Sequence, residues 1–130
     1  MPILAGFPDV RRVVAGALAG LGTVVGETGL DLQSQLAGGG TVIRVRRVGG
    51  ADDRVTDQAR IDVDVYAVDL SAAEAAAESA RQALISGPSA TGHGVLDRAD
   101  TEVGPHEVPS PDPGAYRVVS ATYRISVRRR

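Results

Sequence analysis

Asp62 and Asp64, with one residue between them, are the two side chains in this sequence best spaced to act as a catalytic acid and base. They belong to the segment Ile61–Val68, in which apolar and acidic residues alternate. This alternation has the period of a strand, so both carboxylates are predicted to lie on one sheet face. Their chemistry then depends on the strand that pairs with them.

The segment Thr41–Val48 is the nearest candidate for that partner strand. Antiparallel pairing of the two segments places Arg44 opposite Asp64 and Arg46 opposite Asp62, and it turns the intervening apolar residues to the other face. Two cross-strand ion pairs are the expected result, each worth about 0.2 to 1 kcal/mol. We therefore predict a structural role for both aspartates and no catalysis.

The remaining metal-ligand and acid–base residue types are scattered. His93 and His106 each lie in a glycine- and proline-rich segment without a partner at ligand spacing, so both are predicted to be loop residues. Asp52, Asp53 and Asp57 could attract a divalent cation, but they lack the alternating oxygens and terminal Glu of a calcium loop. We predict no metal and no cofactor.

Two further motifs point away from catalysis. The glycines of residues 20–26, GLGTVVG, resemble a dinucleotide fingerprint, but the last spacing is one residue too long and the motif follows a helix instead of a strand. A helix end and turn is the better interpretation. There is no cysteine, which excludes a thiolate zinc site and a cysteine nucleophile.

Composition indicates one domain spanning residues 1–130, with a core built from small side chains because aromatic residues are only 3% of the chain. All 14 basic residues are arginine, yet the formal net charge is -2, so no overall positive field attracts nucleic acid. The arginines of the predicted sheet leave a local DNA-facing surface open as an alternative. No apolar run is long enough to span a membrane and no secretion signal is recognisable, which predicts a soluble protein.

Hydrophobic periodicity predicts the first half of the chain. A helix capped by Asp9 carries an apolar stripe from Val10 to Leu21, and a short strand follows around residues 23–25. Residues 26–40 are predicted to have little structure. The polar segment Gly49–Gln58 is too long for a tight turn, and we expect it to project as a mobile arm.

A second helix is predicted to begin at a capping box formed by Ser71 and Glu74 and to end at Gly87. A flexible loop at 86–94 precedes a strand at 95–103. The proline-rich segment 104–114 is predicted to be a connector that cannot be a central strand, and a final strand covers 115–128. The fold class is α+β, an antiparallel-rich sheet of about four to five strands with two helices packed on one face.

The order of these segments resembles the tail terminator, or tail completion, proteins of long-tailed phages and prophages of actinobacterial hosts. The resemblance is carried by PDVRRVVAGALAGL, VIRVRRVGG, RIDVDVYAVDLSAAEAAAESARQAL and VPSPDPGAYRVVSATYRISVR, which together span most of the chain. These segments are defined by periodicity and turn residues and contain no invariant chemical signature. Other phage neck proteins, such as a head-closure or stopper subunit, share such a pattern.

The resemblance implies a homo-oligomeric ring, typically a hexamer, at the head-proximal end of the tail tube. Such a ring stops tube growth, binds the tail tube protein and the head-tail connector, and lets genomic DNA pass without specific nucleic-acid binding. It is part of the virion, assembles in the host cytoplasm and does not bind membranes. The expected interface residues are those of the charged strands and the arm: Arg44, Arg46, Asp52, Asp53, Arg54, Asp57, Asp62 and Asp64.

Overall fold

The structure, a computed structural model, describes residues 9–26, 32–37, 39–52 and 56–128. Three helices and six strands occur in these ranges. In chain order they are α1 (Val10–Leu18), β1 (Thr23–Val25), α2 (Leu32–Ala37), β2 (Val42–Asp52), β3 (Thr56–Ala67), α3 (Leu70–Ile85), β4 (Ser89–Thr91), β5 (Gly94–Val108) and β6 (Arg117–Arg128).

The strands form one sheet in the order β1-β2-β3-β6-β5-β4. The β1–β2 pair is parallel, and the other neighbouring strands are antiparallel. The α+β class is confirmed and the short strand predicted around residues 23–25 is β1, whereas the predicted count of four to five strands is too low because β4, only three residues long, was not recognised. Strands of that length carry too few residues for periodicity to identify reliably.

The predicted register of the β2–β3 hairpin is confirmed, with Arg44 opposite Asp64 and Arg46 opposite Asp62. The prediction of a mobile arm at Gly49–Gln58 is wrong over the described residues. A bulge after Arg47 shifts the register, and pairing then resumes from Gly49 to Asp52. Polar composition concealed this continuation, because a strand at the edge of a sheet tolerates polar side chains.

Gly50 allows the two strands to stay paired beyond the bulge. Its φ is +118°, a conformation that residues with a Cβ rarely adopt, and an added Cβ would collide with the Gln58 carbonyl oxygen across the hairpin. The paired glycines that seemed to open a loop therefore hold two strands close together.

Helices α1 and α3 pack on one face of the sheet, as predicted. The residues that α1 buries there are Val10, Val13, Val14 and Leu18, and those of α3 are Ala73, Ala77, Ala80 and Leu84. The small side chains of α3 let the helix approach the sheet closely. Gly16 of α1 serves the same purpose against β4, since an added Cβ would lie 3.0 Å from the Thr91 Cβ atom.

Helix α2 was missed, because residues 26–40 were predicted to have little structure. Leu32 and Leu36 of α2 are buried in a second cluster with Val42, Tyr66, Tyr116 and Val118. Val42 and Ile43 are adjacent in β2 and belong to different clusters, so α2 lies on the face opposite α1 and α3. The prediction of helices on one face only is therefore incomplete.

The N-cap of α1 is the predicted one, because Asp9 accepts a hydrogen bond from the Arg11 amide at 3.1 Å. The predicted capping box of α3 is wrong. Helix α3 begins at Leu70, and the Asp69 side chain accepts from the Ala72 amide at 2.8 Å. Asp69 stands two residues before Ser71 and is an equally good cap, so the helix gains its first turn by starting earlier.

Strand β5 extends well beyond the predicted 95–103, and β4 occupies part of the predicted loop at 86–94. The connector prediction is wrong for residues 104–108, which pair with β6 through His106, Glu107 and Val108. Gly104 and Pro105 fall within a register shift, and β4 pairs only with Gly94–Leu96. Within the described ranges no strand lies on the outer side of β5 at Pro105, so the N–H that proline lacks leaves no hydrogen bond between strands unmade.

Candidate functional site: the charged sheet face

The charged face is the side of the sheet opposite α1 and α3, and its centre is Asp64. The Asp64 side chain is only 4% exposed and accepts from Arg44 Nε and Nη2 at 3.0 and 2.6 Å. It also accepts from the Ser120 hydroxyl of β6. Burial is the largest single influence on the pKa of Arg44 and lowers it, but the hydrogen bond to Asp64 and the neighbouring charges together raise the pKa overall. Three hydrogen bonds therefore hold the Asp64 carboxylate in place between β2 and β6.

Asp62 repeats this arrangement one step along the sheet. It accepts from Arg46 Nη2 at 3.1 Å and from the Thr122 hydroxyl at 2.7 Å. Arg46 also places its Nε 3.6 Å from Asp64, which links the two pairs. Since Asp62 is more exposed than Asp64, its ion pair contributes less to stability and is more accessible to a partner.

Glu102 of β5 extends the charged face across the sheet. It accepts from Arg60 Nε at 2.8 Å and lies 3.7 Å from Arg124 Nη2. The charged face is therefore defined by alternating cations and anions on four neighbouring strands: Arg44, Arg46, Arg60, Asp62, Asp64, Glu102, Ser120, Thr122 and Arg124. Each of its arginines has a carboxylate within ion-pair distance.

Asp57 does not belong to this face. It is buried and forms a bidentate pair with Arg47, with Nη–Oδ distances of 2.7 and 2.8 Å. Alternation along β3 places Asp57 on the face of Ala59 and Ile61, towards α1 and α3. The side chain of Asp52 and all of Asp53 and Arg54 lie outside the described residues. Of the eight predicted interface residues, the structure thus brings together Arg44, Arg46, Asp62 and Asp64.

An open groove of about 680 Å³ lies along the outer edge of β2. Its basic lining residues are Arg11 of α1 and Arg44, Arg46 and Arg47 of β2, and Asp9 contributes one carboxylate. The groove is continuous with the charged face because Arg44 and Arg46 belong to both. It offers a largely basic surface next to strand backbone.

No group of three or more histidine, aspartate or glutamate side chains in the described ranges is arranged to hold a metal ion. His93 is an exposed turn residue, and His106 lies in β5 with its Nδ1 atom 2.9 Å from the Gly104 carbonyl oxygen. No helix within the described ranges is long and apolar enough to cross a membrane. The arrangement that the structure does contain is suited to holding strands together and to polar contact.

Several partners in the charged face could not be found from the sequence. The contacts of Ser120 and Thr122 with β3 depend on a pairing between residues more than 50 positions apart in the sequence. The Arg60–Glu102 pair depends on three strands meeting in one sheet. Alternation identified the polar face of each strand and gave no signal for which strand lies next to β3.

Comparison with known proteins assigns the chain to the structural proteins of phage tails. A family model described as phage tail termination protein matches residues 6–130, nearly the whole sequence. The chain therefore belongs to the phage tail termination protein family. The resemblance inferred from the order of the sequence segments is confirmed, and this family is one of structural proteins and not of enzymes.

Among solved structures, the chain is similar to a component of a structure titled "Virion of native gene transfer agent (GTA) particle". The two share 20% sequence identity with a TM-score of 0.56, over 89% of this chain and 84% of the other. At this identity the similarity establishes a common fold. Comparison with curated proteins gives no match.

Proposed function

We propose that this chain is the subunit of a ring, most simply a hexamer, that caps the head-proximal end of a phage tail tube and joins the tail to the head. The observation that carries the proposal is the family match over residues 6–130. In this proposal residues 1–130 act as one domain, which binds the tail tube protein on one side and the head connector on the other. The protein then resides at the neck of the virion, after assembly in the host cytoplasm.

The charged face supports a role in binding. Its ion pairs extend over four strands, and within the described ranges α2 packs at the end formed by Val42, Tyr66 and Val118. A fixed pattern of alternating charges can recognise a partner with the complementary pattern and reject others. We propose that Arg46 and Asp62, the more exposed pair, contact a neighbouring virion protein.

The same ion pairs weigh against the alternative of a nucleic-acid-binding module. Phosphate binding draws on arginines whose charge is available to the backbone of DNA. On this face Arg44, Arg46 and Arg60 each form an ion pair with a carboxylate. Arginines held in such pairs offer less charge to phosphate, so we propose that DNA passes through the ring without specific binding.

A second candidate is a different neck protein, a head-closure or stopper subunit, because the fold alone does not distinguish positions in the neck. Tail assembly with and without this chain separates the two. A terminator is required to stop tube growth, so omission should yield tails of irregular and excessive length. Tails of normal length that fail only to join heads would favour the stopper.

Substitution of Arg46 by Ala tests the proposed contact surface. The matched control is Arg81→Ala, because Arg81 also forms an exposed ion pair, with Glu78 at 2.8 Å, but lies on the helix side of the molecule. We expect R46A to fold and to give fewer closed, joined tails, while R81A behaves as the unchanged protein. Equal activity of both variants would remove Arg46 from the contact surface.

A further inference from the structure

Both borders of the sheet are only partly covered in the described part of the chain. Strand β1 pairs with β2 only from Val42 to Arg44, and β4 pairs with β5 only from Gly94 to Leu96. Beyond these residues, the outer edges of β2 and β5 have no strand beside them within the described ranges. An open edge presents unpaired N–H and C=O groups that can bind a further strand.

The direction of the strands makes the two edges compatible with each other. Each neighbouring pair in β2-β3-β6-β5 is antiparallel, so β2 and β5 run in opposite directions. If a second copy stands beside the first with the same face turned the same way, its β2 meets β5 as an antiparallel neighbour. Such a head-to-tail contact uses different surfaces on the two copies and can repeat until a ring closes.

The charges of the two edges are complementary. Strand β2 contains three arginines and one aspartate, whereas β5 contains four carboxylates and one arginine. The basic groove with Arg11 adjoins the β2 edge. The arginines of β2 pair with aspartates of β3, and Glu102 of β5 pairs with Arg60 of β3, so the partner charges lie further inside the sheet and each border strand keeps its own sign. Pairing β2 with β5 therefore brings borders of opposite charge together, while pairing either edge with its own copy brings like charges together.

Each open edge also carries one exposed apolar side chain. Val48, at the bulge of β2, is 42% exposed, and Val103 of β5 is 43% exposed. Pro105 has no N–H to donate and limits the usable part of β5 to the residues before it. Val103 lies within that usable part.

We propose that the outer edge of β2, around Val48, binds the outer edge of β5, around Val103, in a second copy of this chain, and that this antiparallel contact links neighbouring subunits. The inference rests on the proposed ring and specifies the surfaces that build it. It predicts one continuous sheet passing from subunit to subunit.

Thiol cross-linking tests the contact, because the chain has no cysteine of its own. The double variant V48C/V103C is treated with a bis-maleimide that spans about 8 Å, the reach of opposite and diagonal positions on paired strands. Within one chain β2 and β5 are three strand spacings apart, about 14 Å, so this reagent cannot join the two sites internally. The purified full-length protein is used at concentrations where assemblies form, and also on assembled tails.

The matched control is V48C/V95C. Val95 is similarly exposed at 47% and lies in β5, but in the part already paired with β4. V48C/V103C should give a ladder of covalent oligomers that ends at the ring size, while V48C/V95C and both single variants should give monomer. Dimers from V48C or V103C alone would overturn the proposal in favour of contacts between identical edges.

The outcomes separate this inference from the proposed function. A ring that forms and caps tails but shows no V48C/V103C ladder overturns the edge contact and leaves the terminator proposal intact. A chain that stays monomeric both in solution and on tails overturns the ring and the edge contact together. As a second measurement, Asp100→Arg should weaken the ladder of V48C/V103C, because Asp100 pairs with Arg98 at 3.1 Å and its replacement leaves two cations on the β5 edge. An unchanged ladder would contradict the proposed charge match.

Discussion

Single residues of the charged face differ in what they contribute, and burial decides the difference. Asp64 is 4% exposed with three donors on its carboxylate, while Asp62 is 24% exposed with two. Removing a buried acceptor leaves its donors without compensation, whereas water replaces an exposed one.

Asp64→Ala should therefore lower the free energy of unfolding by about 2 to 3 kcal/mol, since Arg44 and Ser120 lose their acceptor in a partly buried site. Asp62→Ala, the matched control, should cost about 0.5 to 1 kcal/mol. Urea unfolding of both variants measures the difference. Equal losses would show that the two pairs are equally solvated.

The environment of Tyr123 is unfavourable for its hydroxyl group. It is fully buried, and its hydroxyl has no hydrogen-bond partner among the described residues. Burial raises the pKa of the Tyr123 phenol from about 10 to about 12. The folded protein thus holds this proton more tightly than the unfolded chain does.

Tyr123→Phe should raise the free energy of unfolding near neutral pH by about 1 kcal/mol, because an unsatisfied buried hydroxyl is removed. Because the folded phenol keeps its proton to a higher pH than the unfolded one, its ionisation does not change the free energy of unfolding below about pH 10 and lowers it as the pH rises towards 12. Denaturant titrations at pH 8 and pH 11 should show a smaller alkaline loss in Y123F. The pKa of Tyr66 is also raised by burial, so some alkaline loss should remain in both proteins. A destabilised Y123F at pH 8 would indicate that the hydroxyl does have a partner.

At the scale of elements, the start of helix α3 and the end of the β2–β3 hairpin were predicted wrongly from the sequence, each for an identifiable reason. Asp69 and Ser71 are both good N-cap residues, and only the tertiary position of α3 selects Asp69. Asp69→Ala should therefore cost about 1 kcal/mol, and Ser71→Ala only a few tenths. Thermal unfolding of the two variants measures both losses. A larger loss for Ser71→Ala than for Asp69→Ala would favour the capping box of Ser71 and Glu74.

The β2–β3 bulge gives a second prediction at this scale. Gly50→Ala should destabilise the hairpin by about 2 kcal/mol or more, since Gly50 has a φ of +118° and an added Cβ would collide with strand β3. Gly20→Ala is the control, because nothing lies within 4 Å of a Cβ added there. Its effect should stay within about 0.5 kcal/mol. If the two variants had similar free energies of unfolding in denaturant, the strands would not be closely packed around Gly50.

Prediction from the sequence was accurate where the information is local. Alternation and opposite charges sufficed for the register of β2 and β3, since both strands are neighbours along the chain. It gave no strand order that would place β6 between β3 and β5, and it missed α2, whose two buried leucines pack mostly against residues distant in the sequence. Half of the predicted interface set falls on the charged face; Asp57 pairs with Arg47 instead of facing outward, and the side chains of the other three lie outside the described residues.

At the scale of the whole molecule, α1 and α3 cover one sheet face and α2 covers one end of the other. The charged face and the open edges of β2 and β5 are then the surfaces on which the described structure could meet neighbours. A subunit with complementary edges on opposite sides is suited to a closed ring, because each copy can satisfy the edge of the next. The match to the tail termination protein family is the observation on which the proposed ring rests.

The most direct test of whether this protein terminates the tail is electron microscopy of phage tails. One set of tails is assembled with this protein and a second set with a labelled version of it. We predict one ring of six copies at the head-proximal end of each tube, with an open pore and no label along the tube. Label distributed along the tube, or confined to the opposite end, would contradict the proposal that this protein terminates the tail.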